Sequence, residues 1–205
     1  MPFKIPDVVA PGTFAAQEQP TIPAPGAMVL RPWSTADAPA VHEAFQDRTL
    51  QYWHGYASTS ADEVVGLIEG WRTEWTEERD AYWAIADAGS DALLGRVALR
   101  QISLSDGRAE VAYWTVPPAR GRGIAPRAVT ALTHWAFHEI GLHRLELTHA
   151  TGNEASCRVA HKTGFTAEGT KRSALLHEDG WHDMHLHARV RDDAAPRTDQ
   201  PAPVR

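Results

Sequence analysis

"VPPARGRGIAPRAVTALTHWAF", residues 116–137, places three arginines and two glycines just ahead of an apolar helical pattern. A helix N-terminus already carries the positive end of the backbone dipole. Arg120, Arg122 and Arg127 are therefore poorly placed there unless an anion joins them. The preceding segment, "AEVAYWTV", reads as a strand ended by Pro117 and Pro118, and the turn after it offers unpaired N–H groups. Gly121 and Gly123 let the backbone approach a bulky phosphate closely. The stretch thus predicts a strand, a turn that seats a pyrophosphate, and a helix from about residue 123 to 140, stopped by Gly141. The P-loop pattern, which needs Gly-Lys-Ser/Thr, is absent, and the dinucleotide fingerprint needs Gly or Ala where Pro126 stands.

Outward from this stretch, strands and helices interleave. On the N-terminal side "AYWAIAD", "ALLGRVALRQISL" and "AEVAYWTV" read as strands separated by "AGSD" and "SDGR", with Asp106-Gly107 as a hairpin turn. Residues 60–76 read as a helix: Ser60 and Glu63 have capping-box spacing, and Val64, Leu67, Trp71 and Trp75 form an apolar stripe. Residues 37–46 read as a shorter helix, residues 28–32 as a strand, and "QYWHGY", residues 51–56, as a loop. On the C-terminal side "HRLELTHA" is a strand, and "NEASCRVAHKTG" is a helix closed by Gly164. "FTAEGTKRSALLHEDGWHDMHLHARV" forms two strands joined at "EDG". The pattern predicts an α/β (α+β) domain over residues 28–190. Residues 1–27, rich in Pro and Ala without a period, read as an arm or linker, and residues 191–205 as a disordered tail.

A chain of 205 residues, 43% of them hydrophobic, suits one domain with a proper core. A formal net charge of -6 argues against nucleic acid as a partner, while a local basic cluster suits a small anionic ligand. The single cysteine, Cys157, excludes an intramolecular disulfide and fits a reducing compartment. Neither a signal-peptide pattern nor a membrane-length apolar run is visible. The expectation is a soluble cytoplasmic protein with no membrane partner.

The spacing Arg120-x-x-Gly123-x-Ala125 resembles the acetyl-CoA pyrophosphate loop of the GNAT N-acetyltransferases, an Arg/Gln-x-x-Gly-x-Gly/Ala signature between a strand and a long helix. "NEASCRVAHKTGF", residues 153–165, resembles the second signature of the RimJ/RimL-like branch, which acetylates ribosomal-protein N-termini: Asn-x-x-Ser, an Arg-Val pair, then Gly-Phe. "LRPWSTADAPAV" resembles that branch's opening strand and helix. "AEVAYWTVPPARGRGIA" resembles its central Glu, apolar, Gly, Tyr-Trp strand, with Ala112 where Gly is usual. The resemblance spans about residues 28–190. Pro126 departs from it by having no N–H for a phosphate, which leaves the other amides to bind.

The resemblance implies the GNAT fold, a mixed and mostly antiparallel central sheet with splayed central strands, flanked by helices. It implies direct transfer from acetyl-CoA to an amine in a ternary complex, without a metal. Arg120, Gly121, Arg122, Gly123, Ile124, Ala125 and Arg127 would cradle the pyrophosphate. Free amides of Trp114, Thr115 and Val116 would face the acetyl and pantetheine groups, and Asn153 would bond the pantetheine arm. Ser156 sits where this branch protonates the leaving thiolate, and Glu110 is the expected general base, directly or through a water. Trp53 and Tyr56 would line the acceptor pocket. The expected partner is a small-molecule or peptide amine, and a homodimer is compatible with the family. The rival readings are a non-catalytic acyl-CoA-binding module, a longer donor such as succinyl-CoA, and a nucleotide-phosphate enzyme.

Each residue also has a plainer reading. Arg120 and Arg122 can be solvated charges, Glu110 a strand residue opposite a basic neighbour, and Ser156 a small residue that permits close packing. Cys157, mid-helix with no evident base, reads as inert. His134 and His138 have metal-compatible spacing but no HExxH pattern. His185 and His187 share a strand face and could chelate with His177 or His182. No cysteine or carboxylate cluster joins them in the sequence, so they read as solvent-exposed. Trp53, Trp71, Trp75 and Trp83 read mostly as core.

Overall fold

The computed structural model describes residues 5–193. The tail expected from residue 191 onward lies outside the described residues except for 191–193, which are exposed. Strands β1 (Ile22–Ala24) and β2 (Met28–Arg31) lead into helices α1 (Ala38–Ala44), α2 (Arg48–His54) and α3 (Ala61–Thr76). The meander β3 (Ala81–Asp87), β4 (Leu93–Ser103) and β5 (Arg108–Thr115) follows. Then come α4 (Ile124–Trp135), β6 (Arg144–Ala150), α5 (Glu154–Lys162), β7 (Thr166–His177) and β8 (Gly180–Val190). The eight strands form one sheet, ordered β1-β2-β3-β4-β5-β6-β8-β7. Every neighbouring pair is antiparallel except β5 and β6.

The sheet is covered on both faces, which is why β3 reads as a continuous apolar run rather than an alternation. Ala81, Trp83 and Ile85 face the α4 side with Leu30, Val97 and Leu132. Tyr82 and Ala84 face the α1–α3 side with Val41, Ile68 and Trp71. Ser60 caps α3, its hydroxyl accepting from the Glu63 N–H at 3.2 Å. The Glu63 carboxylate accepts from the Thr59 N–H at 2.8 Å, one residue before the cap. The buried stripe of α3 is Val64, Ile68, Trp71 and Trp75. Leu67, expected in that stripe, is exposed, because an i, i+4 step from Val64 reaches Ile68.

Two expectations change. "QYWHGY" is not a loop: residues 51–54 belong to α2, whose N-cap Asp47 accepts from the Leu50 N–H at 2.9 Å and whose end is fixed by Gly55 in the left-handed region. Seven residues are too few to show a helical period. The N-terminal segment is anchored on the domain through Val9, Phe14 and Ile22, which are buried. Phe14 is fully buried, its ring 5.0 Å from that of Trp75 and 6.0 Å from that of Trp135. The Glu78 carboxylate accepts from the N–H groups of Gly12 and Phe14, each at 2.7 Å. The indoles of Trp75 and Trp83 donate to the carbonyls of Gln17 and Pro20. β1 pairs with β2. These partners are distant in the chain, so no local period announces them.

Candidate active site

The parallel pair β5 and β6 is in register only from Arg108 opposite Arg144 to Glu110 opposite Glu146. Beyond that, the strands run on to Thr115 and Ala150 without pairing to each other, and a gap opens between them. On its other edge β5 keeps its ladder with β4, and the Val116 N–H donates to the Leu94 carbonyl at 3.0 Å. Amides along an antiparallel strand alternate in direction. Val116, Trp114 and Ala112 therefore point at β4, while Thr115 and Tyr113 point into the gap. Of the three amides expected to be free, only Thr115 has the right parity. Val116 is already bonded, and Trp114 is buried beside Trp33 and Phe45.

The turn after β5 ends at Gly123, the N-cap of α4, with φ 72°. Gly121 has the same φ, and a Cβ at either glycine would meet nothing within 4 Å. The two glycines supply the left-handed backbone and leave open space in front of the turn. The N–H groups of the first α4 turn face that space, apart from Pro126, which has none. The three arginines part company here. Arg120 Nη2 lies 2.5 Å from Asp47 Oδ1, tying the turn to α2. Arg127 folds back, its Nε and Nη2 donating at 3.0 Å to the carbonyls of Gly123 and Arg122. Arg127 thus offsets the electronegative side of the turn, and neither it nor Arg122 lines the cleft.

That cleft, about 330 Å³, runs from Arg120, Gly121, Gly123 and Ala125 to the gap. A second cleft, about 450 Å³, opens from the α2 side and is lined by Tyr56, Arg96, Arg100, Glu110 and Lys171. The two share Trp53, His54, Tyr113, Asn153 and Ser156. Asn153 caps α5, its side-chain oxygen accepting from the Ser156 N–H at 3.0 Å, which leaves its amide nitrogen free to donate. A turn with open space before its amides, a gap in the sheet and a second cleft meeting the first at that gap leave room for two molecules to meet.

The acetyltransferase (GNAT) domain family matches residues 27–166. The chain belongs to the GNAT acetyltransferases. It is 24% identical over 165 residues to the uncharacterized N-acetyltransferase YoaA of Bacillus subtilis, covering 80% of this chain and 93% of that one. It is 31% identical over 102 residues to the ribosomal-protein-serine acetyltransferase of Escherichia coli, covering 50% and 57%. The structure of Mycobacterium smegmatis RimJ in complex with CoA-disulfide superposes with a TM-score of 0.74 at 25% identity, covering 83% and 86%. These relatives put the acetyltransferase in the RimJ/RimL-like branch.

Within the acetyltransferase, Glu110 faces the second cleft opposite Arg100 and accepts from Gln101 Nε2 at 3.3 Å. Burial raises its carboxyl above the ordinary carboxylate range, and the Arg100 charge offsets part of that rise. Tyr113, beside Ser156, has its hydroxyl buried without a hydrogen-bond partner, and burial pushes its pKa up to about 12. Trp53 packs on Tyr52 and His177 at the junction of the clefts. The Tyr56 ring stacks on Phe45 at 5.0 Å.

Sequence reasoning missed Arg96, which is 1% exposed on β4. Its guanidinium lies 5.0, 5.3 and 5.1 Å from the rings of Tyr56, Trp71 and Tyr82. The signal was a lone charge inside the apolar run "LLGRVAL", where buried arginines are rare. The histidine reading also needs correction. His187 is 1% exposed and His149 4%, because α5 covers that face of β6 and β8. Cys157 lies with them rather than apart, together with His185.

Proposed function

We propose that the two clefts hold acetyl-CoA and a primary amine together and that the acetyl group passes directly between them in the gap. The observation that carries this reading is the convergence of both clefts on Tyr113, Asn153 and Ser156. The pyrophosphate would rest on the Gly121–Gly123 turn and the first amides of α4. The pantetheine arm would run along the gap, bonded by the Thr115 N–H and the free amide nitrogen of Asn153. The Tyr113 N–H, also directed into the gap, is placed to stabilise the oxyanion that develops on the thioester carbonyl.

The amine nitrogen attacks the carbonyl carbon and the carbon–sulfur bond breaks. The amine loses a proton to Glu110, directly or through a water, and the thiolate gains one from Ser156, which is reprotonated from solvent while Glu110 returns its proton there, so both groups end as they began. An α-amine, with a pKa of about 8, asks little of the base. The raised carboxyl of Glu110 stands closer to neutrality than an ordinary glutamate, which suits proton transfer.

The acceptor cleft favours an amine that carries a carboxylate nearby. Arg96, Arg100, Arg108 and Lys171 line it against Glu110 and Glu146. The Nε and Nη1 of Arg96 are buried without partners. A polyamine would bring further positive charge to this surface, whereas an anionic group beside the amine would pair with it. Among the described residues no helix is long and apolar enough to cross a membrane. The free Cys157 fits a cytoplasmic setting.

The test is release of coenzyme A from acetyl-CoA with a panel of amines, with the acetylated product read by mass. The panel includes α-amino acids, peptides with an acidic residue near the N-terminus, their amidated counterparts and polyamines. Preference for the carboxylated members supports the reading. Donor binding without turnover across the panel would favour the acyl-CoA-binding module, and turnover with succinyl-CoA but not acetyl-CoA the longer donor.

A further inference from the structure

Beside the acceptor cleft, where His149 forms part of the lining, three elements bring soft donors to one place. His149 on β6 and His185 on β8 are register partners, and His187 stands two residues along the same face of β8. Cys157 on α5 is set over them. One ligand atom from each of these four residues lies within 4.8 Å of the other three. His149 Nε2 and His187 Nε2 are 3.1 Å apart.

We propose that His149, Cys157, His185 and His187 form a tetrahedral zinc site that clamps α5 to β6 and β8. A tetrahedral zinc with nitrogens at about 2.0–2.1 Å and sulfur at about 2.3 Å holds its ligand atoms roughly 3.3–3.8 Å apart. The ligand atoms lie within 4.8 Å of one another, and the half-buried Cys157 and His185 side chains would have to rotate inward to reach that spacing. Neutral imidazole with thiolate, free of carboxylates, is the donor set of zinc rather than of magnesium or calcium.

Two observations go beyond proximity. The His149 Nδ1–H donates to the Ala150 carbonyl at 2.9 Å, leaving Nε2 with its lone pair aimed into the cluster. A backbone carbonyl holding the outer nitrogen is the usual support of a metal-bound histidine. In addition, His187 is almost fully buried, yet its Nδ1 has no hydrogen-bond partner. The two stacked imidazoles turn their Nε2 atoms toward each other, and a cation bound between them would take a lone pair from each, with Nδ1 of His187 left to carry that ring's proton. Binding would release the Cys157 thiol proton to solvent, and the proton between the two Nε2 atoms would move to Nδ1 of His187, leaving both imidazoles neutral. With four protein ligands the site is closed, so its work is structural. It fixes the helix that carries Asn153 and Ser156.

The full-length protein, freed of metal by chelator and exchanged into metal-free buffer, is titrated with Zn(II) by calorimetry and with Co(II) by absorbance. The expected result is one equivalent bound and a higher Tm. With Co(II), intense visible bands of a tetrahedral ion and a near-ultraviolet thiolate-to-metal band should appear. Cys157→Ser should remove the thiolate band, and His185→Gln should weaken Zn(II) binding by at least about tenfold, the loss that even an outer partner of a ligand can cause. Both residues are half-buried, so both variants should keep the wild-type circular dichroism. His134→Gln/His138→Gln, at the exposed helical pair, should bind like wild type. Absence of stoichiometric binding, or binding that survives both cluster variants and is lost in the helical pair, overturns the proposal. None of these readouts depends on acetyl transfer, so failure of the zinc site and failure of the enzymatic reading are separable.

Discussion

The Arg96 guanidinium donates from Nη2 to the Tyr56 hydroxyl at 2.8 Å, and among the described residues no carboxylate lies within salt-bridge distance of it. A buried cation held only by aromatic faces and one phenol is under-satisfied. An anionic group on the acceptor would complete it. Arg96→Met keeps the length and the apolar contacts and removes the charge. The expected result is a rise in acceptor KM with donor KM unchanged, worth about 1.5–3 kcal/mol, or roughly tenfold to a hundredfold. Kinetics with a carboxylated acceptor and its amide check it. Equal losses for both would show that Arg96 supports the pocket without reading the acceptor's charge.

As the proposed base, Glu110 should carry the pH dependence. Its carboxyl is raised by burial, so the acid limb of kcat/KM should fall above the ordinary glutamate range. Glu110→Gln should abolish that limb and lower kcat by about 10²–10⁴-fold. Linkage sets a second sign. A carboxyl raised in the folded state favours folding below its unfolded pKa, and that contribution is lost as pH rises through the folded value. Glu110→Gln should therefore be at least as stable as wild type at neutral pH, with the gain vanishing as pH falls. Urea melts at two pH values and a pH–rate profile test both. A limb unchanged in the variant would assign the base elsewhere.

Ser156 and Tyr113 share the junction of the clefts. If Ser156 gives the thiolate its proton, Ser156→Ala should lower kcat while leaving donor affinity nearly unchanged. Tyr113, with its pKa pushed up to about 12, keeps its proton through the working range, and its unpartnered hydroxyl is free to donate toward Ser156 when the reactants are bound. Tyr113→Phe should therefore cost less, and the double variant no more than Ser156→Ala alone. Additive losses in the cycle would give Tyr113 an independent role.

Phe14 anchors residues that the sequence reads as an arm or linker. Phe14→Ala should cost about 3–5 kcal/mol of stability, read from the urea midpoint, with CoA affinity at low temperature unchanged. A loss under about 1 kcal/mol would return this segment to the status of a loose arm.

Legibility followed the range of the interactions. The turn at Gly121 and Gly123, the capped helix α3 and the meander from Ala81 to Thr115 are written in local periods and turn residues, and they could be read directly. Asn153 and Ser156 were visible as a motif, and their capping contact is local. What stayed hidden depends on residues far apart in the chain. Arg120 meets Asp47 across 73 positions and Arg96 meets Tyr56 across 40. His149 meets His187 across 38. The parity of the β5 amides was missed for another reason. Which alternate N–H groups face the gap depends on the register with β4, and one residue of register reverses the answer.

On the proposed reading, Gly123 decides whether the turn binds phosphate. Its φ of 72° is one that L-residues adopt at a cost of about 1–2 kcal/mol, and a β-branched side chain fits it worse. A Cβ there meets no protein atom within 4 Å, so the protein itself does not exclude a side chain, and only a ligand would. Gly123→Val should therefore fold with modest loss and bind CoA far more weakly, while a truncated pantetheine donor loses less. Gly141→Val is the matched control: its φ is 85°, a Cβ there also meets nothing, and it lies in neither cleft. It should show similar strain with CoA affinity intact. Arg122→Ala should be mild, because the charge is exposed and screened by salt. Arg127→Ala should be intermediate, since it frees the carbonyls of Arg122 and Gly123 and loosens the turn. Calorimetric Kd values for CoA across the four variants test this order. A folded Gly123→Val that binds CoA as wild type does would remove the pyrophosphate from this turn and leave its arginines as braces alone, Arg120 for α2 and Arg127 for the loop.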